Sequence, residues 1–400
     1  MRNWRVDFFT LWVVQFVAAA GFTVASPFVP LFIQDLGVRG VRQAAVWSGI
    51  MGALGGITLA IASPIWGTVA DRHGRKLMVE RATIGASVFQ AAMGLVTNVQ
   101  QLVALRGLMS MVSGVQSAVM ALAATIIPAA SLGFAMGTLQ TATALGSTMG
   151  PFVGGWLAAA VGYRPTFFLT GIILFLSGLL CFFAVHEDFK PAAAGEQKQR
   201  AAAGFADVVR VPGIAGLLFV IAISRAAGGA MAIAIPLILQ EMAGGSREVS
   251  GTAGTVVGLT ALAMGVGAMV WGRLGDRIGQ PRVLRLCLIL SALLIVPQAL
   301  VTAPWHLAAG QMAYAFVLAG LLPASAALIG IVGPKGRQGV VYGASGTALA
   351  MGNALGPTLA ALLIGAFGTR AMFVGVGLVL LLLHVTLRGV LGPAYKARSG

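Results

Sequence analysis

Residues 67–76 read Gly67-Thr68-Val69-Ala70-Asp71-Arg72-His73-Gly74-Arg75-Lys76, a knot of charge set between two long apolar runs. The run before it covers about residues 44–70 and the run after it 77–97. Each is long enough to cross a ~30 Å hydrocarbon core at ~1.5 Å per helical residue. A short loop at a membrane surface makes the two runs antiparallel neighbours, and the rest of the chain is read outward from this pair.

Composition points the same way. Of the 400 residues 58% are hydrophobic and 9% charged, with a mean hydropathy of +0.92. That leaves too little polar surface for a soluble globule and makes the chain an integral membrane protein. The apolar stretches are continuous rather than alternating, which selects helices over a barrel of short strands. Twelve candidate spans follow in order, at about 8–33, 44–70, 77–97, 99–127, 133–161, 165–185, 213–240, 249–271, 283–303, 306–333, 340–367 and 371–391.

The net charge of +15 could suggest nucleic acid, but sorting the basic residues gives another answer. If both termini are cytoplasmic, nineteen of the 26 Lys and Arg fall on the cytoplasmic side and five, Arg39, Arg42, Arg164, Arg247 and Arg370, on the other. Arg106 and Arg225 lie inside spans. This is the positive-inside bias, and it predicts a multi-pass protein of a bacterial inner membrane with both ends in the cytoplasm. The expected partners are the lipid bilayer, protons and a small-molecule substrate, with no nucleic acid, and the chain is expected to act as a monomer. Cys181 and Cys287 both fall inside spans, so neither a disulfide framework nor a thiol metal site is implied. The first apolar run is too long for a signal-peptide core and is expected to stay in the protein.

Twelve spans around a charged middle invite a search for duplication. In the first span Pro30-Leu31 is followed by Gln34 and Asp35, and 206 residues on Pro236-Leu237 is followed by Gln240 and Glu241. Gly137, Gly146, Gly150 and Pro151 map by the same shift to Gly343, Gly352, Gly356 and Pro357. Gly162, Arg164 and Phe167 map to Gly368, Arg370 and Phe373. The opening stretch has a twin at a shift of 205, with Trp66, Gly67, Asp71, Arg72 and Gly74 matched by Trp271, Gly272, Asp276, Arg277 and Gly279. The organisation read from this is an N-terminal six-helix bundle over 1–186, a solvated linker over 187–210, and a C-terminal six-helix bundle with a short tail over 211–400. Six spans return the chain to its starting side, so the two bundles are parallel repeats.

The pattern Gly-x-x-x-Asp-Arg-x-Gly-Arg-Lys between the second and third spans, echoed between the eighth and ninth, resembles the signature loop of the major facilitator superfamily, and the likeness covers the whole chain. It implies an all-α membrane protein whose twelve transmembrane helices form two six-helix bundles. It also implies a gating role for the loop, which in the family stabilises the outward-facing state by docking against the eleventh helix. Gly67, Asp71, Arg72, Gly74, Arg75 and Lys76 are the positions that inherit that role, with Asp276 and Arg277 as the second copy. The second copy has Gln280-Pro281 in place of Arg-Lys. The alternative for both is a plain positive-inside anchor.

In the fifth span Gly137, Gly146, Gly150, Pro151, Gly154 and Gly155 resemble the antiporter motif of twelve-helix drug:proton exporters in that superfamily. With 55 glycines and 16 prolines in the chain, such a match arises by chance on the order of once in a thousand chains. Small residues at this spacing let two helices approach closely, and the proline breaks the backbone ladder. Close packing without a transport role is the alternative. The eleventh span has Ala360 and Ala361 where the tandem glycines would fall.

An arginine inside a span is expensive and marks a functional candidate. Arg106 takes the place of the family's arginine in the fourth helix, although Met109 and Ser110 stand where the family has Gln and Gly. It is a candidate for substrate binding or proton coupling, unless it snorkels to the interface. Arg225, near the middle of the seventh span, is a candidate for the cavity wall, unless it only binds backbone carbonyls. All eleven acidic residues fall in loops or at helix ends. Exporters of cationic drugs often carry a membrane-embedded Asp or Glu, and this chain departs from that pattern. Two buried arginines without an acid favour neutral, zwitterionic or anionic substrates. Asp35, Glu241 and His384 are possible proton carriers; solvated helix ends and a packed core histidine are the alternatives. Tyr314, Gln15, Gln140, Gln298, Gln311 and Asn353 are candidate polar contacts.

The reading is a secondary active transporter of the drug:proton antiporter type, exporting small amphipathic, neutral or anionic compounds by alternating access. The alternatives are a proton symporter or facilitator for a sugar or organic acid, and a non-transporting membrane receptor. No His, Cys or carboxylate cluster is present to run catalysis, so no enzyme, catalytic residue, metal or cofactor is expected.

Overall fold

The computed structural model describes residues 4–187, 213–243, 247–332 and 338–399. The expected linker 187–210 lies outside them except for Glu187. Span 1 consists of α1 (Trp4–Thr23) and α2 (Val29–Asp35), and spans 2 and 3 are α3 (Val41–His73) and α4 (Arg75–Ala92). Span 4 is divided into α5 (Val99–Val112) and α6 (Val115–Ile126), followed by α7 (Ala129–Val161) and α8 (Tyr163–Ala184) as spans 5 and 6. Spans 7 to 9 are α9 (Ile214–Ala243), α10 (Arg247–Ile278) and α11 (Gln280–Ile295). Span 10 is divided into α12 (Pro304–Leu318) and α13 (Leu321–Val332), and α14 (Gln338–Phe367) and α15 (Thr369–Ser399) complete the twelve.

Among the described residues eleven of these spans are long and apolar enough to cross a membrane. The twelfth, α4, carries Lys76, Glu80 and Arg81 in its first two turns, which lowers its hydropathy. It packs along α8 and α5 as a spanning helix does.

The charged stretch that reads as a loop is almost wholly helical. α3 runs through Asp71 and Arg72 to His73, and Gly74 alone separates it from α4. Gly74 has φ +95°, and the equivalent Gly279 between α10 and α11 has +92°. Gly162 and Gly368, at +93° and +88°, make the same one-residue connection from α7 to α8 and from α14 to α15. Only a residue without Cβ takes this conformation freely, so four antiparallel corners rest on glycine.

The breaks inside spans also repeat. α5 and α6 part at Ser113-Gly114, with Gly114 at φ +115°, and α12 and α13 part at Ala319-Gly320, 206 residues later. Span 1 breaks between Thr23 and Val29, where Pro27 and Pro30 remove backbone donors. Phe28 fixes that break. Its ring stacks on Tyr163 at 5.5 Å and meets Phe167 edge-on at 5.4 Å, each pair worth about 0.5–1.5 kcal/mol beyond its buried area.

The described helices form two compact units. One holds α1–α8 with α10 as far as Gly258, and the other holds α9 to Met242 with α10 from Leu259 onward through α15. In the first unit α1 packs on α7 and α4 on α8, and in the second α11 packs on α15. The core of the first unit is the apolar face of α1 at Leu11, Val14 and Ala18, meeting Met78, Val79, Val119, Leu122 and Leu174.

Candidate functional site

The glycines of α7 are arranged by what they touch. A Cβ on Gly146 would strike the Phe16 carbonyl oxygen, one on Gly150 the Ala20 carbonyl, and one on Gly154 the Val24 carbonyl. These three positions form the seam on which α1 lies. Gly155 faces a different helix, against Ser250 and Gly254 at the start of α10, and Trp156 donates from Nε1 to Thr255 Oγ1 at 3.0 Å beside it. Gly137 is in open space, with no atom within 4 Å of a Cβ built there. Five of the six motif positions are thus packed, Gly146, Gly150 and Gly154 against span 1 and Pro151 and Gly155 against the start of α10, while Gly137 stands outside both contacts. In the other unit Gly352 and Gly356 press on the carbonyls of Ala222 and Ala226, the same contacts displaced by 206 residues.

Arg106 on α5 is half-buried, and its Nη1 lies 4.0 Å from Met109 Sδ. Gly107 beside it accepts Leu54 of α3, so spans 2 and 4 are closely apposed there. Gln140 on α7 is exposed and accepts from Gln116 Nε2 at 3.3 Å, and Gln15 on α1 donates to Thr143 Oγ1 at 2.8 Å. These side chains place neutral hydrogen-bonding groups on the first unit.

In the second unit, a cavity of about 460 Å³ is lined by Ile221, Leu322, Pro323, Ala326, Ser345 and Leu349 among others. Arg225 stands one turn along α9 from Ile221 and faces Gly352, one turn along α14 from Leu349. Its Nε is buried and has no hydrogen-bond partner among the described residues. Arg225 itself is half-buried and stands one turn beyond the aliphatic lining rather than in it. Nearby, Gln311 donates to Gln298 Oε1 at 2.8 Å and to Met231 Sδ at 3.5 Å, and the Tyr314 hydroxyl is buried without a partner among the described residues. Tyr314 is 2% exposed and His384 5%, so both belong to the packed interior of that unit.

Asp35 is exposed at the end of α2. Its repeat partner Glu241 accepts a 2.6 Å hydrogen bond from Thr369 Oγ1 at the start of α15. Around the signature stretch, Arg75 and Lys76 donate their backbone N–H groups to Glu187 Oε1 and Oε2 at 3.0 and 2.7 Å. Those are free amides of the first turn of α4, where a carboxylate is doubly favoured by orphan donors and by the helix dipole. Lys76 Nζ donates to the Phe182 carbonyl at 2.7 Å and pairs with Glu80 at 3.5 Å. Asp276 accepts from Gln280 Nε2 at 3.2 Å, and Arg277 is exposed. Gly67, Asp71 and Arg72 belong to the last turns of α3, and the Asp71 and Arg72 side chains lie outside the described part.

Two contributors escape sequence reasoning. Glu187 reads as the first residue of a solvated linker, yet it caps a helix 112 positions away. Arg81 reads as one more cytoplasmic charge, yet it lies in the second turn of α4 with Nε and Nη1 buried. Its distance of five residues from Lys76, more than a full turn into the span, is the signal that could have found it.

The comparisons agree with this architecture. The sequence model of the Major Facilitator Superfamily matches residues 11–251 and again 217–399. The chain is 34% identical over 375 residues to the multidrug resistance protein MdtG of Salmonella dublin, covering 93% of this chain and 92% of that one. It is 34% identical over 380 residues to the MdtG of Enterobacter lignolyticus, covering 95% and 90%. Among solved structures, a bacterial homologue of the human lysosomal transporter Spinster superposes with a TM-score of 0.80 at 15% identity, covering 96% of each chain. Two six-span repeats, glycine corners at matching positions and these matches lead to one conclusion: the chain belongs to the major facilitator superfamily.

Proposed function

We propose that this chain is a drug efflux transporter that exports small amphipathic, neutral or anionic compounds, exchanging them for protons by alternating access. Relatives at 34% identity named multidrug resistance proteins support the efflux part. The observation that carries the substrate class is Arg225, whose buried Nε has no partner among the described residues beside an aliphatic cavity of about 460 Å³. A buried guanidinium nitrogen without a partner is costly, and an anionic group on a lipophilic body supplies both a charge for it and apolar surface for the wall one turn away. Arg106 is the second basic candidate, and Gln140 and Gln116 offer neutral contacts. The protein sits in the bacterial inner membrane with both termini in the cytoplasm, as the distribution of Lys and Arg supports. The bundles 1–186 and 211–400 move against each other, joined by the linker 187–210. The signature stretch around Asp71 and Arg75 serves as the gate.

The test is a resistance screen in an efflux-deficient bacterial host expressing the chain, beside Arg106→Ala and Arg225→Ala. Resistance to neutral or anionic amphipathic compounds that falls in both variants is the expected result. Resistance confined to lipophilic cations, or unchanged in both variants, contradicts the site assignment.

A further inference from the structure

Span 4 is interrupted in the membrane, and an interruption there leaves carbonyl oxygens that water cannot satisfy. At Ser113-Gly114 the helical ladder from α5 into α6 is lost. Ser113 turns back on the break, donating its hydroxyl to the Met109 carbonyl at 2.7 Å and its N–H to the Ser110 carbonyl at 3.2 Å. The two carbonyls further on are served from other spans. Trp66 of α3 donates its indole N–H to the Met111 carbonyl at 2.7 Å, and Arg81 of α4 reaches the Ser113 carbonyl at 3.4 Å. The Arg81 guanidinium lies 3.5 Å over the centroid of the Trp66 ring, a stacked cation–π pair placed at the carbonyl end of α5, where a cation is favoured.

Position and asymmetry set this cluster apart from ordinary packing. Trp66 immediately precedes Gly67 and Arg81 follows Lys76 by five residues, so the pair brackets the signature stretch on its two helices. The other unit keeps the broken span and the tryptophan but not the cation. Trp271 sits against Gly320, Cys287 fills the neighbouring space, and the Trp271 indole N–H has no hydrogen-bond partner among the described residues. The same break is gripped by polar groups in one repeat and packed by apolar ones in the other. Arg81 also keeps Nε and Nη1 buried without partners among the described residues, so donors remain in place for a second arrangement of the span 4 carbonyls.

We infer that Trp66 and Arg81 form a clasp on the break of span 4 and act as positioning residues for its Arg106-bearing half. Through Met109, whose carbonyl holds Ser113 and whose sulfur neighbours Arg106, the clasp ties the helices of the signature stretch to the candidate site. Its contribution to export rests on the transporter reading above; its effect on the shape of span 4 does not.

The test uses the full chain in lipid vesicles with spin labels at Gln100→Cys and Ala124→Cys, exposed positions on the two halves of span 4. The native Cys181 and Cys287 are buried and out of a label's reach. A continuous helix would hold these positions about 36 Å apart. The parent is expected to give one narrow distribution centred below that. Trp66→Phe with Arg81→Gln is expected to broaden it at least twofold, while Arg81→Lys, which keeps the cation, retains the parental distribution. In the host strain, resistance per unit of folded transporter is expected to fall roughly fivefold in the double variant and to be restored in Arg81→Lys. An unchanged distribution in the double variant overturns the clasp. A broadened distribution with full resistance overturns its role in export. Loss of resistance in Arg106→Ala alone, with the clasp intact, reports on the site and not on the clasp.

Discussion

Gly146 lies directly on the carbonyl oxygen of Phe16, with no room for a Cβ between α7 and α1. The contact recurs 206 residues later, where Gly352 lies on the Ala222 carbonyl. Two helices that touch through backbone in this way separate as soon as a side chain enters. Gly146→Val is therefore expected to destabilise the protein by about 1–3 kcal/mol, the usual cost of overpacking, read as a lower thermal midpoint in detergent. Gly137→Val, placed in open space, is the internal control and is expected to leave the midpoint unchanged. Equal effects at the two positions would mean that the seam is not the reason for the motif.

Glu187 holds the first turn of α4 through the amides of Arg75 and Lys76. Removing a helix cap costs about 1 kcal/mol, which corresponds to roughly fivefold faster local opening. Glu187→Ala is expected to speed hydrogen exchange at the amides of 75–78 by that factor and to leave the second half of α4 unchanged. Unaltered exchange in the first turn would show that the carboxylate contributes nothing there.

Glu241 and Thr369 share a 2.6 Å hydrogen bond between the end of span 7 and the start of span 12. A structural tie predicts that Glu241→Gln and Thr369→Val each lower stability, and that the double variant loses less than their sum by about 1 kcal/mol. Asp35→Asn at the exposed repeat position is expected to be neutral. If Glu241→Gln left stability intact but shifted the pH dependence of transport, Glu241 would be a proton carrier and not a tie.

Much of this architecture is legible in the residues alone, for physical reasons that differ from element to element. Long apolar runs are read because a bilayer demands them, and the duplicated Pro30 and Pro236 or Gly162 and Gly368 are read because a repeated corner needs the same residue twice. The breaks are harder. Gly114 is one of 55 glycines, and nothing local distinguishes it from Gly137, because what matters is φ at the first and open space at the second. The stretch at 67–76 reads as a loop because its charge looks solvated, whereas α3 stays helical to His73 and the turn is compressed into Gly74. The roles of Glu187 and Arg81 are not legible locally because their partners are tertiary, lying 112 and 32 positions away. At the candidate site, Arg225 is legible as a charge in an apolar span, but the cavity near it is not, since its wall joins span 7 to spans 10 and 11, about a hundred residues further on.

The central claim is that Arg225 selects for anionic or neutral amphipathic compounds, and everted membrane vesicles with an imposed pH gradient test it most directly. Accumulation of an anionic lipophilic dye and of a cationic one would be followed in the parent and in Arg225→Met. The account predicts gradient-dependent accumulation of the anionic dye in the parent and at least a tenfold loss in Arg225→Met, the order expected for one buried charged hydrogen bond. Accumulation of the cationic dye alone, undiminished in Arg225→Met, would contradict it.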